Sequence, residues 1–210
     1  SSQQQELLAI AYKGSETMLE LINNLLDISK MEQGQMTLDL KPLPIFGVID
    51  QAVERLRTLA NSRNITVDQH LAAYLPPIEV DGDKIIRVLQ NLLDNALKFS
   101  PNGSVVTVGA FVSGGEHISP EDAPVHPPLD EQELLVVWVK DCGPGIPVAY
   151  FQRIFEKFGQ VRGSKVRGTG LGLTFCRLAI EAHDGRIWVE STEGNGSTFA
   201  FALPLRHEVQ

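Results

Sequence analysis

At 210 residues, with 43% hydrophobic and 21% charged residues, the chain is long enough for one substantial core plus an appendage and has the make-up of an ordinary soluble protein. Its 26 acidic against 18 basic residues give a formal charge of −8, which excludes unspecific nucleic-acid binding and means that any phosphate must be met by a local site. Cys142 and Cys176 are too few for a disulfide framework or a metal cluster, and no apolar run approaches the roughly 20 residues of a membrane span. With no basic start or cleavage site at the N-terminus, a cytoplasmic fragment without membrane contact is expected.

From about Gln4 to Met31 the pattern is helical, with Ala11, Met18 and Leu25 at one heptad position and Leu21 or Ile22 and Ile28 at the other. At about 1.5 Å per residue such a rod runs for roughly 40 Å and has one apolar stripe, so it needs a partner helix, from another copy or from a segment outside this sequence. Gly34 ends it, and the stretch QMTLDLKPLPI reads as an extended linker because Pro42 and Pro44 forbid a helix. An amphipathic helix from Phe46 to Asn61, a strand from Ile65 to His70 and the loop AAYLPPIEVDG follow. A helix from Asp83 to about Pro101 comes next, then an alternating strand from Ser104 to Val112. Gly114 to Gln132 is rich in proline and acid and reads as a mobile insertion. Leu134 to Val139 is an apolar strand suited to the middle of a sheet. The turn sequence from Asp141, a short helical VAYFQRIFEKF, a patternless basic segment and a glycine-led helix closed by Gly185 come after it. RIWVES and STFAFALPL form a hairpin. This order predicts an α/β fold: a two-layer sandwich of a mixed, mainly antiparallel sheet covered by about three helices, plus the long N-terminal helix.

Chemistry is concentrated in four patches. On the helix from Asp83, Ile85, Leu89, Leu92, Leu93 and Ala96 share one side, while Asn91, Asn95 and Lys98 share a narrow arc opposite. Asn is a poor helix former, so two of them a turn apart suggest side chains that are needed: an amide oxygen can ligate a hard cation and an ammonium can meet a phosphate. A plain polar face fits the same periodicity. Asp141, ending an apolar strand at a glycine turn, either caps that turn or accepts from a ligand donor such as an exocyclic amine, with Gly143 and Gly145 admitting the base. Gly168, Gly170 and Gly172 before a helix suit a hinge or a phosphate cradle, but neither a dinucleotide fingerprint nor a P-loop. Phe155 and Phe158 read as core, Arg162, Lys165 and Arg167 as solvated charges or a phosphate lid, and Cys142 as a small turn residue.

Taken together and in order, Asn-x3-Asn-x2-Lys-Phe, Asp-x-Gly-x-Gly-Ile, Phe-x2-Phe, a basic segment, Gly-Thr-Gly-Leu-Gly-Leu and Gly-Asn-Gly-Ser-Thr-Phe resemble the catalytic ATP-binding domain of sensor histidine kinases, in the class shared with gyrase, Hsp90 and MutL. The resemblance covers residues 42–206, and residues 1–41 look like the second helix of the dimerisation and phosphotransfer domain with its linker. It implies ATP and Mg²⁺ as cofactors, with Asn95 on the metal, Asn91 assisting at metal and phosphates, and Lys98 on the phosphate chain. Phe99 would pack on adenine. Asp141 would accept from its amine, with Gly143, Gly145 and Ile146 shaping the pocket and Thr198 supporting it. Gly168, Thr169, Gly170, Leu171 and Gly172 would wrap the phosphates, with Arg162, Lys165 or Arg167 closing above. The implied partners are a second copy through the N-terminal helix, the acceptor-histidine domain of the same kinase and a response-regulator receiver domain.

In hydrolytic relatives a Glu stands where this chain has Asn91, and an amide cannot take a proton from water near neutral pH. That favours phosphoryl transfer to a histidine over an ATPase of the gyrase or Hsp90 kind; a non-catalytic nucleotide-sensing module is a further alternative. The acceptor box His-Glu/Asp-x-Arg-Thr-Pro is missing, and His70, His117, His126, His183 and His207 lack its context. The resemblance therefore implies an N-terminally truncated kinase core that binds ATP and does not phosphorylate itself.

Overall fold

The computed structural model describes residues 2–113, 133–161 and 168–205. Contacts divide the chain into two compact units, Ser1–Met36 and Thr37–Gln210. The first is the expected helix, α1 (Ser2–Glu32), ended at Gly34 where φ is +65°. Leu7, Tyr12, Met18, Ile22 and Leu26 along it are exposed. No helix among the described residues is long and apolar enough to cross a membrane.

The second unit runs β1 (Lys41–Leu43), α2 (Ile45–Ser62), β2 (Thr66–Leu71), β3 (Ile78–Val80), α3 (Gly82–Phe99), β4 (Val105–Val112), β5 (Leu134–Lys140), α4 (Gly172–Ala182), β6 (Arg186–Ser191) and β7 (Ser197–Pro204). The main sheet has the order β2-β4-β5-β7-β6, and only β2 and β4 are parallel. That parallel pair needs a crossover, which α3 supplies. The sheet is mixed and mainly antiparallel, with α2 against β2, α3 against β4 and β5, and α4 against β6 and β7.

Strand alternation sorts the side chains into two faces. Val108, Val139, Phe199 and Val189 lie in register and are buried toward the helices, where Ile85, Leu89, Leu92 and Leu97 of α3 are fully enclosed. On the opposite face, register lines up His70, Gly109, Trp138, Ala200 and Trp188 across all five strands. A Cβ on Gly109 would fall inside the Trp138 indole, so only glycine lets that ring lie on the sheet. His70 meets the same ring edge-on at 6.3 Å.

Two segments differ from expectation. Lys41–Leu43 pairs antiparallel with Ile78–Val80, so the supposed linker and loop each hold a short strand, and Pro42 is tolerated in this small two-stranded ladder. VAYFQRIFEKF is two 3-10 turns, Val148–Tyr150 and Arg153–Phe155, and no α-helix. Phe158 takes a left-handed φ of +59°, and Gly159 lies so close to the Arg153 carbonyl that no Cβ fits there. Both facts stop a helix from continuing.

The proline-rich acidic insertion, Gly114 to Gln132, and His207 lie outside the described residues.

Candidate active site

The site starts from α3. Asp81 caps it, its Oδ1 accepting from the Lys84 N–H at 3.2 Å, and a fully apolar inner face fixes its rotation. Asn91 and Asn95 are half-buried on the other side, and Lys98, exposed, pairs with Asp94 at 2.5 Å. The far end of α3 is braced by Arg63, whose guanidinium donates to the Leu97 and Ser100 carbonyls. A cation on those terminal carbonyls also meets the negative end of the helix dipole.

Next to that end lies the turn after β5. Asp141 is only 5% exposed; its Oδ1 accepts from the N–H groups of Gly143 at 2.7 Å and Ser197 at 3.2 Å. Burial pushes its carboxyl up to about 6, against the pull of those two bonds. Gly143 packs on the last residue of α3, since a Cβ there would stand 3.2 Å from Phe99 Cβ and from its carbonyl oxygen. Gly145, at φ +74°, presses on the Thr192 carbonyl, and the Ile146 N–H donates to Ser191 Oγ at 2.8 Å. The β6–β7 hairpin thus backs the whole glycine turn. A shallow polar depression at the hairpin tip, lined by Glu190, Ser191, Thr192 and Asn195, shares Ser197 and Thr198 with it.

The third wall is the glycine run ahead of α4. Gly170, at φ +70°, accepts from the Phe158 N–H at 3.0 Å, and its missing Cβ would be 2.6 Å from Phe158 Cα. Thr169 Oγ1 accepts from the Leu171 N–H at 3.3 Å. Leu171 itself is 3% exposed, so it can offer a ligand only its backbone. At Gly172 a Cβ would come within 3.2 Å of Asn91 Oδ1, which sets the amide of α3 against the start of α4. Gly168 and Thr169 are exposed, and a Cβ on Gly168 would meet nothing.

A buried carboxylate at a strand end lies by the end of α3, whose outer arc carries two amides and an ammonium, and the glycine-led start of α4 faces the first of those amides, Asn91. The family model described as "Histidine kinase-, DNA gyrase B-, and HSP90-like ATPase" matches residues 80–207. The chain belongs to this family.

Among relatives of this ATPase-family chain is the sensor histidine kinase WalK of Bacillus subtilis, 32% identical over 204 residues, covering 96% of this chain and 31% of WalK. The adaptive-response sensory kinase SasA of Synechocystis is 34% identical over 201 residues, covering 95% and 48%. Full-length ShkA in complex with AMPPNP matches with a TM-score of 0.79 at 25% identity, over 100% of this chain and 40% of that one. The chain spans about a third to a half of the length of these curated relatives.

Several residues of this domain can be set against the sequence reading. Thr198 lies in register with Lys140 and Glu190 on the sheet face away from the helices, whereas Ser197, one position earlier, donates its N–H to Asp141. Side chains alternate along β7, so Ser197 and Thr198 lie on opposite faces of the sheet. The alternation of STFAFALPL, with Phe199 and Phe201 inward, carried that signal. Phe155 is core and meets Phe199 edge-on at 6.3 Å, but Phe158 is 64% exposed. Cys142 is an exposed turn residue; Cys176 is buried, its thiol pushed up to about 12. His183 is a satisfied core histidine, with Nδ1 on the Ala179 carbonyl at 2.7 Å and Nε2 accepting from the Asp81 N–H at 3.0 Å. Arg162, Lys165 and Arg167 lie outside the described residues.

Proposed function

We propose that this chain is the nucleotide-binding part of an ATP-dependent protein-histidine kinase, which transfers the γ-phosphoryl of Mg-ATP to a histidine outside this sequence for relay to a response regulator. The observation that carries it is Asn91: an amide, not a carboxylate, faces the glycine-led start of α4. The residues present fit a purine triphosphate and its metal. Glycines at 143, 145, 170 and 172 stand where a Cβ would crowd Asp141, the hairpin, Phe158 or Asn91.

Bound Mg-ATP supplies the phosphoryl group and the metal charge that screens it. Asn95 is the metal ligand, Asn91 supports metal and phosphates, and Lys98 exchanges its pairing with Asp94 for phosphate oxygens. Backbone N–H groups from Gly168 to Gly172 line the phosphates. Asp141 accepts from the adenine amine, with Phe99 and Ile146 beside the base. Neither amide can take a proton from water, so the groove holds ATP intact until an imidazole arrives in line. The catalysis is positioning and electrostatics. The exposed stripe of α1 is the surface through which a second copy pairs.

The test is to add Mg-ATP and a fragment that carries an acceptor histidine. Acid-labile phosphate on that histidine is the expected product. Steady release of free phosphate would indicate an ATPase, and nucleotide binding with neither product a sensing module.

A further inference from the structure

The two ends of the groove are built on different elements, the phosphate end on α3 and the purine end on the turn after β5. One side chain ties them together. Ser100, the C-cap of α3, is 1% exposed, and its Oγ accepts from the Cys142 N–H at 3.2 Å. Cys142 lies between Asp141, whose carboxylate is buried, and Gly143, whose N–H donates to that carboxylate. Ser100 is itself held from two sides. Its N–H donates to the Ala96 carbonyl at 3.0 Å, and its carbonyl accepts from Arg63 Nη2 at 3.0 Å. Arg63 also reaches Asn102 Oδ1 at 3.1 Å and accepts from the Gly103 N–H at 3.1 Å, which fixes the loop that leaves the helix.

We propose that Ser100 is a positioning residue of the nucleotide site: its hydroxyl pins the Asp141 turn to the end of α3, setting the offset between the carboxylate that reads the purine and the amides and ammonium that hold the phosphates. This rests on the nucleotide-binding reading above and adds to it a residue that touches no ligand. Gly143 packed on Phe99 gives the contact its closeness, but a van der Waals contact can slide. The hydrogen bond to the Cys142 N–H sets the register. Arg63 acts behind Ser100 by immobilising its backbone.

The experiment is calorimetry on the full 210-residue chain with Mg-ATP and Mg-GTP, before and after Ser100→Ala. Losing one such bond should weaken Mg-ATP binding about three- to tenfold. Because the loss falls on the purine end, the preference for ATP over GTP should shrink by a similar factor, an effect that a general loosening of the fold would not produce. In the double variant, Asp141→Asn should cost less than it does beside an intact Ser100, as coupled residues require. Ser100→Cys, nearly isosteric and a weaker acceptor, gives the same comparison where the alanine variant does not fold. Unchanged ATP affinity and unchanged base preference in both variants would overturn the role of Ser100 while leaving the nucleotide site in place. A wild-type chain that binds no nucleotide would overturn both.

Discussion

Asn91 on α3 and Gly172 at the start of α4 stand face to face, with 3.2 Å between the amide oxygen and the point where a Cβ would be built. The gap is tight enough that adding one carbon pushes the amide away. Yet Gly172 has ordinary helical geometry, and alanine is the better helix former there. Gly172→Ala should therefore separate two quantities that usually fall together. Stability should hold or rise by about 0.5–1 kcal/mol, while Mg-ATP affinity drops severalfold. Melting curves and calorimetry on the same sample check both, and undiminished Mg-ATP affinity would mean that Asn91 has no part in binding.

Asp141 makes stability depend on pH. Burial raises its carboxyl from 3.8 to about 6, so the folded chain holds its proton more tightly than the unfolded one. A group raised in this way stabilises the fold fully below its unfolded value and loses that contribution as pH climbs through its folded value. The stability of Asp141→Asn minus that of wild type should thus grow by on the order of 2–3 kcal/mol between about pH 4 and pH 7. Urea midpoints at several pH values measure it. A difference that stays flat would contradict the burial of this acid.

Asn95→Ala should weaken binding of nucleotide with Mg²⁺ by about tenfold or more, the scale of one lost ligand contact, and binding without metal far less. Calorimetry with ATP in Mg²⁺ and in EDTA reads the two directly. Equal losses would remove Asn95 from the metal.

His183 ties the C-terminal end of α4 to the cap of α3 through Ala179 and Asp81. Replacing it with alanine leaves a buried N–H without its acceptor and opens a cavity. The expected cost is about 2–4 kcal/mol, seen in chemical denaturation, and it should be far larger than for the exposed His70→Ala.

Where the placement of a candidate residue depends on its neighbours in sequence, it was legible. Two asparagines and a lysine at helical spacing, an acid at a strand end and a glycine-led helix start all describe their own surroundings. The strands of three residues were not, because β1 and β3 are too short for a period to develop and are defined only by each other. The 3-10 turns escaped for a similar reason: Phe158, at φ +59°, donates its N–H to the carbonyl of Gly170, twelve positions on. That Thr198 lies on the far face and Ser197 on the helix face is a matter of parity that the neighbouring phenylalanines carry. Arg63, Ser100 and His183 find their partners 34 to 102 residues away, beyond any local pattern.

Both tryptophans of the chain, Trp138 and Trp188, sit on the sheet face turned away from α3 and α4, on either side of Ala200. Intrinsic emission is therefore a gauge of that far surface: it should shift strongly when Gly109 is replaced or the strands separate, and hardly at all when a purine is added. An added reporter on the groove side would follow occupancy, with the native indoles recording whether the scaffold beneath it has stayed intact.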